Sequence, residues 1–236
     1  MSTLDPNPPL VLLPGHMCDA RLFGPLLEAL PGRRYFVGDL TADDNVAAMA
    51  RRVLTAAPPH FALLGLSMGG IVAFEILRQA PERVARLALL DTNPLPESED
   101  RSTARLELMR IVAAGGLQSV VTERLKPAYL ASANRDEHAL LDLIVDMALE
   151  LGPAVFDRQA RALLHRLDSR ELLHDICVPT LILCGREDVL CPVAAHEAMA
   201  GAISGATLVV VDGAGHLPTL ERPGAVNAAV RSWLDS

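Results

Sequence analysis

Six short apolar runs recur along the chain, and stretches with helical periodicity separate most of them. Each run is apolar nearly throughout and does not alternate with polar residues, which is typical of parallel strands buried on both faces. The repeated strand, helix, strand order favours an α/β layer fold, with helices on both faces of a mostly parallel sheet of about six strands. Strands are predicted at residues 10–15, 35–40, 61–66, 86–92, 180–185 and 207–213, and helices at 20–30, 46–57, 69–79 and 193–202.

The interval 94–175 interrupts this alternation. It contains no strand-like run and shows only helical periodicity, with one helix predicted to begin at an N-cap, Asn134, and to end at Gly152. We therefore expect residues 1–93 and 176–236 to form one α/β core. Residues 94–175 are expected to be inserted into that core as a helical cap that covers one edge of the sheet.

The bulk composition indicates a soluble protein that binds neither nucleic acid nor membrane. Hydrophobic residues make up 50% of the chain, and the formal charge of -8 would repel a phosphate backbone. No apolar run approaches the roughly 18 residues that span a membrane, and the N-terminal stretch shows no secretory signal pattern. The four cysteines form no Cys-x-x-Cys pair, which favours a reducing compartment. The expected location is the cytoplasm.

Ser67 stands between the third predicted strand and the following helix, in the sequence GLSMG. A role as helix N-cap would explain the serine but not the two flanking glycines, Gly65 and Gly69. A sharp strand-to-helix turn explains all three, because a side chain at either glycine would collide within such a turn. The turn would strain the serine backbone and present its hydroxyl at the carboxyl end of the strand, where open α/β sheets bind ligands. Ser67 is therefore the candidate nucleophile.

A serine hydroxyl needs a base and an orienting acid to act as a nucleophile. Of the seven histidines, His216 lies in a glycine-flanked loop directly after the last predicted strand, at the same end of the sheet as Ser67. Asp188 follows the fifth predicted strand and is the preferred acid, with Glu187 as the alternative. The chain order of serine, aspartate and histidine is the order expected of one catalytic fold.

Five segments, in order along nearly the whole chain, resemble the α/β-hydrolase superfamily: LLPGHMCD, GLSMGG, LALLDTNP, VPTLILCGREDVLCP and GAGHLPTLERP. The chain looks most similar to bacterial carboxylesterases, 3-oxoadipate enol-lactonase-like enzymes and cofactor-free haloperoxidases with a helical cap. The resemblance implies Ser67 as nucleophile, His216 as base and Asp188 as orienting acid. The sequence departs from the family in lacking the usual N-terminal hairpin and in having Pro14-Gly15 where relatives have His-Gly.

The same resemblance implies an oxyanion hole built from two backbone N–H groups. One belongs to Met68, which follows the nucleophile at a helix N-terminus where the helix dipole favours negative charge. The other belongs to His16 in the loop after the first strand, with Met17 as the alternative.

These residues predict a serine hydrolase that cleaves small carboxylic esters, lactones or thioesters through an acyl-enzyme. A perhydrolase or a C–C bond hydrolase would use the same three residues, and a non-catalytic receptor for a small ligand is the alternative on the same fold. The sequence contains no phosphate-binding loop, zinc-ligand spacing or dinucleotide fingerprint, so neither a cofactor nor a metal is expected.

The substrate pocket is expected to draw on the first loop and on the helical interval. The candidate lining residues are Met17, Tyr129, Met147 and Phe156, although ordinary helix packing at helical spacing explains each of them as well. Lys126 is the single lysine of the chain, and we see no basic channel in the sequence and hence no signal for an anionic substrate.

Overall fold

One six-stranded parallel sheet forms the centre of the fold. The computed structural model describes residues 7–236, so the first six residues of the predicted core, with most of the stretch that shows no secretory pattern, lie outside the described residues. The strand order is β2-β1-β3-β4-β5-β6 and every neighbouring pair is parallel, which confirms the predicted α/β class. The strands are Leu10–Leu13 (β1), Tyr35–Val37 (β2), Phe61–Leu66 (β3), Val84–Leu90 (β4), Thr180–Gly185 (β5) and Thr207–Val211 (β6).

The strands differ from the predicted ones mainly at their carboxyl ends. Strands β3 and β5 have the predicted bounds, whereas β1 ends at Leu13, two residues before the predicted end. Strand β4 begins two residues earlier than predicted and ends at Leu90. The residues that directly follow β1 and β4 are buried, so the predicted runs extend past the last paired residue there. After β2 and β6 the chain instead reaches an exposed aspartate within two residues, at Asp39 and Asp212.

Strand β3 lies near the middle of the sheet, and all six of its residues are buried. Successive side chains point to opposite faces of a strand, so they enter two different apolar clusters. Leu64 packs in the cluster that contains Leu12 and Trp233, whereas Leu63 packs in the cluster that contains Val11. Burial on both faces explains why β3 is apolar without alternation.

Helices cover both faces of the sheet. The predicted helix over residues 20–30 is divided into a 3-10 turn, Ala20–Phe23, and an α-helix that begins at Gly24, because the Pro25 that follows is suited to the first turn of a new helix. Within the described residues the α-helices are Gly24–Ala29 (α1), Val46–Ala56 (α2), Met68–Gln79 (α3), Glu99–Ala113 (α4), Leu117–Val120 (α5), Lys126–Tyr129 (α6), His138–Leu164 (α7), Val193–Ala202 (α8), Pro218–Glu221 (α9) and Pro223–Asp235 (α10).

Strand β3 turns directly into helix α3 through Ser67. The φ of Ser67 is +54°, a left-handed conformation that non-glycine residues rarely adopt, as expected for the sharp turn. A Cβ at Gly65 would lie 2.4 Å from the carbonyl oxygen of Gly69, and a Cβ at Gly69 would lie 2.0 Å from that of Leu13. Both positions therefore exclude any side chain, and the Ser67 hydroxyl makes no N-cap hydrogen bond to α3.

The interval between β4 and β5 is helical, as predicted, but one helix boundary is wrong. Helix α7 begins at His138, with Glu137 as its N-cap, and not at Asn134. The amide group of Asn134 instead donates to the Glu221 carboxylate at 2.8 Å, a contact between residues far apart in the sequence. Gly152 does mark a break, because its backbone is non-helical (φ +77°) and kinks α7 there.

Among residues 7–236, no helix combines the length and the apolar character that a membrane crossing requires.

We predict that Gly69→Ala lowers the free energy of unfolding by about 3 kcal/mol or more, because its methyl group overlaps the Leu13 carbonyl. Gly201→Ala is the matched control, since Gly201 is also helical and a Cβ there meets no atom within 4 Å. We expect this control to be neutral or to stabilise the protein by about 0.5 kcal/mol. If urea unfolding gave the same change in the free energy of unfolding for both variants, the contact between Gly69 and the Leu13 carbonyl would not be a constraint on the fold.

Candidate active site

Three polar side chains form a continuous hydrogen-bonded chain at the carboxyl end of the sheet. His216 Nε2 lies 2.8 Å from Ser67 Oγ, and His216 Nδ1 lies 2.8 Å from Asp188 Oδ2. With Nδ1–H donating to the carboxylate, Nε2 is the acceptor for the serine hydroxyl. His216 and Asp188 are buried, whereas Ser67 is half-buried and lines a cavity. The structure thus brings together the three residues predicted from the sequence.

The loop after β5 fixes the Asp188 carboxylate. Its Oδ1 atom accepts the N–H groups of Leu190 at 2.8 Å and of Cys191 at 3.0 Å, which leaves Oδ2 for His216. Burial would raise the pKa of Asp188, but the charge of His216 and these hydrogen bonds outweigh burial and hold the pKa below its usual value. The carboxylate therefore remains ionised near neutral pH.

The alternative acid, Glu187, does not reach the imidazole. Its carboxylate is exposed and accepts the N–H and the hydroxyl of Ser132, at 2.9 and 2.7 Å. Consecutive residues on this loop point in opposite directions, which a sequence pattern alone did not decide.

A second buried carboxyl group, Asp91, adjoins Asp188 and is not among the site residues predicted from the sequence. It follows β4 with a φ of +45°, and its Oδ1 accepts the N–H of Gly185 at 2.9 Å. Full burial, and then the charge of Asp188, raise the pKa of Asp91 well above its usual value. Burial and the neighbouring charge therefore both favour the neutral form of Asp91 next to the Asp188 carboxylate. Its position directly after a buried strand, like that of Asp188, was the available signal.

Two backbone N–H groups are available near Ser67. Met68 is the first residue of α3, so its N–H has no acceptor within the helix. The N–H of Met17 is occupied, because it donates to Gln159 Oε1 at 2.9 Å, whereas the N–H of His16 finds no acceptor within residues 7–236. Of the two alternatives considered for the first loop, the hydrogen bonding favours His16.

A cavity of about 260 Å³ opens above Ser67. Of the four residues considered for the pocket, Tyr129 lines this cavity, and its ring stacks on His216 with centroids 5.6 Å apart. Met147 lies instead in the main core, and Met17 and Phe156 lie in an apolar cluster formed mostly by the helical interval itself, so packing accounts for these three. The lining also contains the side chain of His16.

The cavity lining is basic, which differs from the expectation that the chain has no basic channel. Its charged residues are Arg101, Arg105, Arg124 and Arg166, and no aspartate or glutamate lines it. Arg101 and Arg105 lie on one helix, whereas Arg124 and Arg166 come from other segments and reach the cavity only through tertiary packing.

One group of potential metal ligands occurs in the described part of the chain, namely Asp188, Cys191 and His216, whose ligand atoms lie within 4.8 Å of one another. Burial, and then the charge of Asp188, raise the pKa of Cys191 to about 12, so its thiol is protonated and is a poor metal ligand. The carboxylate and the imidazole already bond to each other. This donor set favours the hydrogen-bonded chain over a metal centre.

Glu221 ties the histidine loop to the helical interval. Its buried carboxylate accepts the N–H of Gly215 at 2.8 Å, on the loop, and the N–H of Ala131 at 2.7 Å, on the interval. The N–H of His216 donates in turn to the carbonyl of Tyr129 at 2.7 Å. The segment GAGHLPTLERP contained Glu221, but its role became visible only when the partner segment packed against it.

Residues 10–229, nearly the whole chain, match the family described as the Alpha/beta hydrolase family. The chain is 29% identical over 248 residues to the pimeloyl-[acyl-carrier protein] methyl ester esterase of Pectobacterium carotovorum, covering 95% of this chain and 93% of the relative. It is also 27% identical over 232 residues to the biotin biosynthesis bifunctional protein BioHC of Teredinibacter turnerae, covering 89% of this chain but 40% of that longer protein.

Solved structures share the fold. A thermophilic esterase from Thermogutta terrifontis, with malate bound, superposes with a TM-score of 0.87 at 30% identity and covers 96% of this chain and 89% of that one. The enol-lactonase of Burkholderia xenovorans LB400 superposes with a TM-score of 0.84 at 20% identity, covering 98% and 92%. At that identity the second likeness concerns the fold alone.

We predict that His16 destabilises the folded protein at acid pH. Burial, and then the charge of Arg105, lower the pKa of His16 to about 3, so between pH 6.5 and 3 the unfolded chain binds a proton that the folded chain does not. The free energy of unfolding should therefore decrease as the pH is lowered through this window. By pH 4 the decrease due to His16 should be about 3 kcal/mol. Urea unfolding at several pH values should show that the free energy of unfolding changes less with pH in His16→Gln than in the wild type. Parallel profiles would contradict the prediction.

We predict that Glu221→Gln lowers the free energy of unfolding by about 1–3 kcal/mol, because a neutral amide replaces a carboxylate that accepts several buried N–H groups. Glu28→Gln, at an exposed position, is the matched control and should change stability by less than about 0.5 kcal/mol. Denaturant unfolding of both variants measures the difference, and an unchanged midpoint for Glu221→Gln would exclude the bridging role.

Proposed function

The chain belongs to the alpha/beta hydrolase family and is a hydrolase of ester bonds, and from this premise we propose that it cleaves small carboxylic esters through an acyl-enzyme formed on Ser67. Lactones and thioesters expose the same kind of carbonyl to the same nucleophile and fall within the proposal. The observation that carries it is the unbroken pair of 2.8 Å contacts from Ser67 through His216 to Asp188.

In the proposed first step, His216 Nε2 accepts the proton of the Ser67 hydroxyl as Oγ attacks the ester carbonyl carbon. The developing imidazolium is stabilised by Asp188, which stays ionised because of its lowered pKa and does not itself take the proton. His216 then returns the proton to the leaving alcohol as the carbon–oxygen bond breaks. The products of this half-reaction are the alcohol and an acyl group on Ser67.

The second half-reaction repeats the proton transfers with water. His216 removes a proton from a water molecule, the hydroxide attacks the acyl carbon, and the proton passes to Ser67 Oγ as the acid is released. In both halves the proposed oxyanion hole consists of the N–H groups of Met68 and His16. The free N–H of His16 and the helix N-terminus at Met68 support this assignment.

Residues 94–175 are proposed to act as a cap over this site. Helix α4, the turn at Val121–Leu125 and helix α6 all contribute residues to the cavity above Ser67. The cap thus supplies much of the surface that would contact the substrate, whereas the core supplies the reacting groups.

We predict that Ser67→Ala lowers kcat for p-nitrophenyl esters by about 10⁴-fold or more, because the nucleophile is lost and the oxyanion donors remain. Ser204→Ala, at an exposed position outside the cavity, is the control and should retain full turnover. A fluorophosphonate probe should label the wild type at Ser67 and fail to label Ser67→Ala.

Undiminished turnover by Ser67→Ala would exclude the nucleophile assignment. Tight binding of a small ligand without turnover or labelling in the wild type would instead favour a receptor on the same fold.

A further inference from the structure

Four guanidinium groups converge on the cavity above the candidate nucleophile. Arg101 and Arg105 lie one turn apart on helix α4, Arg124 lies in the turn at Val121–Leu125, and Arg166 follows helix α7. No carboxylate is among the lining residues. Because three separate elements contribute, the cluster is not a consequence of one basic stretch of sequence.

Two of these arginines are held in place by a shared carboxylate. Glu97 Oε2 lies 2.9 Å from Arg105 and 2.6 Å from Arg166, and the Glu97 side chain is 1% exposed. Arg166 also donates to the carbonyl of Leu95 at 2.8 Å. One carboxylate orients both guanidinium groups but neutralises only one of the two charges, so this part of the wall is rigid and positively charged.

The other two arginines have no carboxylate partner among the described residues. Arg101 donates to the carbonyl of Leu190, whose N–H donates to Asp188. Arg101 is therefore fixed to the loop that carries Asp188. Arg124 is exposed and forms no ion pair within residues 7–236. Both lie on the cavity wall and neither forms a salt bridge among the described residues, although the charge of Arg124 does act on Glu107 and helps to lower the pKa of that carboxyl.

This charge is opposite in sign to that of the molecule as a whole. The chain carries a formal charge of -8, yet four arginines line a cavity of about 260 Å³, and the glutamate that two of them share lies outside the lining. Charges of one sign that line a concave site concentrate ligands of the opposite sign there. Guanidinium groups match the geometry of carboxylate and phosphate oxygens in particular.

We propose that the cavity selects esters that carry a second, anionic group, a carboxylate or a phosphate, on the part of the substrate remote from the scissile carbonyl. This inference rests on the proposed function, since it names the substrate class of the same site. The ester carbonyl lies at Ser67 while the anion accepts hydrogen bonds from the arginines. Arg101 and Arg124 contribute the largest share, because neither is paired with a carboxylate.

The test compares pairs of methyl esters that differ only in charge. One member is the monomethyl ester of a short dicarboxylic acid, and the other is the methyl ester of the monocarboxylic acid of equal chain length. We expect kcat/KM of the wild type to be about 10-fold higher for the charged member, and Arg101→Gln and Arg124→Gln each to reduce that ratio about 5-fold. Raising the ionic strength from 0.05 to 0.5 M should also lower the ratio.

Arg110→Gln is the matched control, because Arg110 lies on the same helix as Arg101, is exposed and is absent from the cavity lining. It should leave the ratio unchanged. A methyl ester that carries a phosphate in place of the remote carboxylate forms a further arm, and preference for either anion over the neutral ester supports the proposal while identifying the anion.

Equal kcat/KM for charged and neutral esters in the wild type would overturn this inference, and so would an unchanged ratio in both Arg101→Gln and Arg124→Gln. In either case labelling of Ser67 and hydrolysis of the neutral ester would persist, so the proposed function would stand. Absence of hydrolysis of every ester, together with absence of labelling, would overturn the proposed function and this inference with it.

Discussion

The close contact between helix α3 and strand β1 is the constraint on which the candidate site depends. At Gly69 the helix backbone lies so near the Leu13 carbonyl that no side chain fits between them. This contact lets β3 turn into α3 without a linker and holds Ser67 at a φ of +54°. Strain of this kind persists only where surrounding packing enforces it. Here the packing of α3 against the central strands enforces it. The same contact therefore stabilises the core and presents the Ser67 hydroxyl to the cavity.

Behind the serine, buried polar groups keep the imidazole oriented. A buried carboxylate is costly unless hydrogen bonds and a partner charge compensate it, and Asp188 has both. For its neighbour Asp91, full burial and the charge of Asp188 raise the pKa well above its usual value, which favours the neutral form and lessens the same cost. Glu221 fixes the His216 loop against the helical interval from the other side. The geometry of the hydrogen-bonded chain from Ser67 through His216 to Asp188 is therefore set in part by hydrogen bonds from surrounding residues. Such support makes a site built on loops rigid.

Charges of opposite sign lie on two sides of the candidate site. The carboxylate of Asp188 faces the imidazole from below, whereas the arginines face the cavity above it. Within the wall, Glu97 orients Arg105 and Arg166 without cancelling both charges. After burial, the charge of Arg105 contributes to the lowered pKa of His16, so one arginine of the wall acts on another residue of the cavity lining.

The sequence by itself determined most of each strand, the sharp turn, the candidate nucleophile and the candidate base, because these depend on local pattern: continuous apolar runs, two glycines around a serine, and a histidine in the loop after the last strand. It narrowed the candidate acid only to Glu187 or Asp188. Tertiary structure alone decided that Asp188 and not Glu187 reaches His216, that Met147 is core, and that Asn134 bonds to Glu221 and does not cap a helix. It also assembled four arginines from three separate elements around one cavity. Local pattern fixes where the backbone turns and which face is buried, but contacts between segments some 30 to 90 residues apart depend on how whole elements pack.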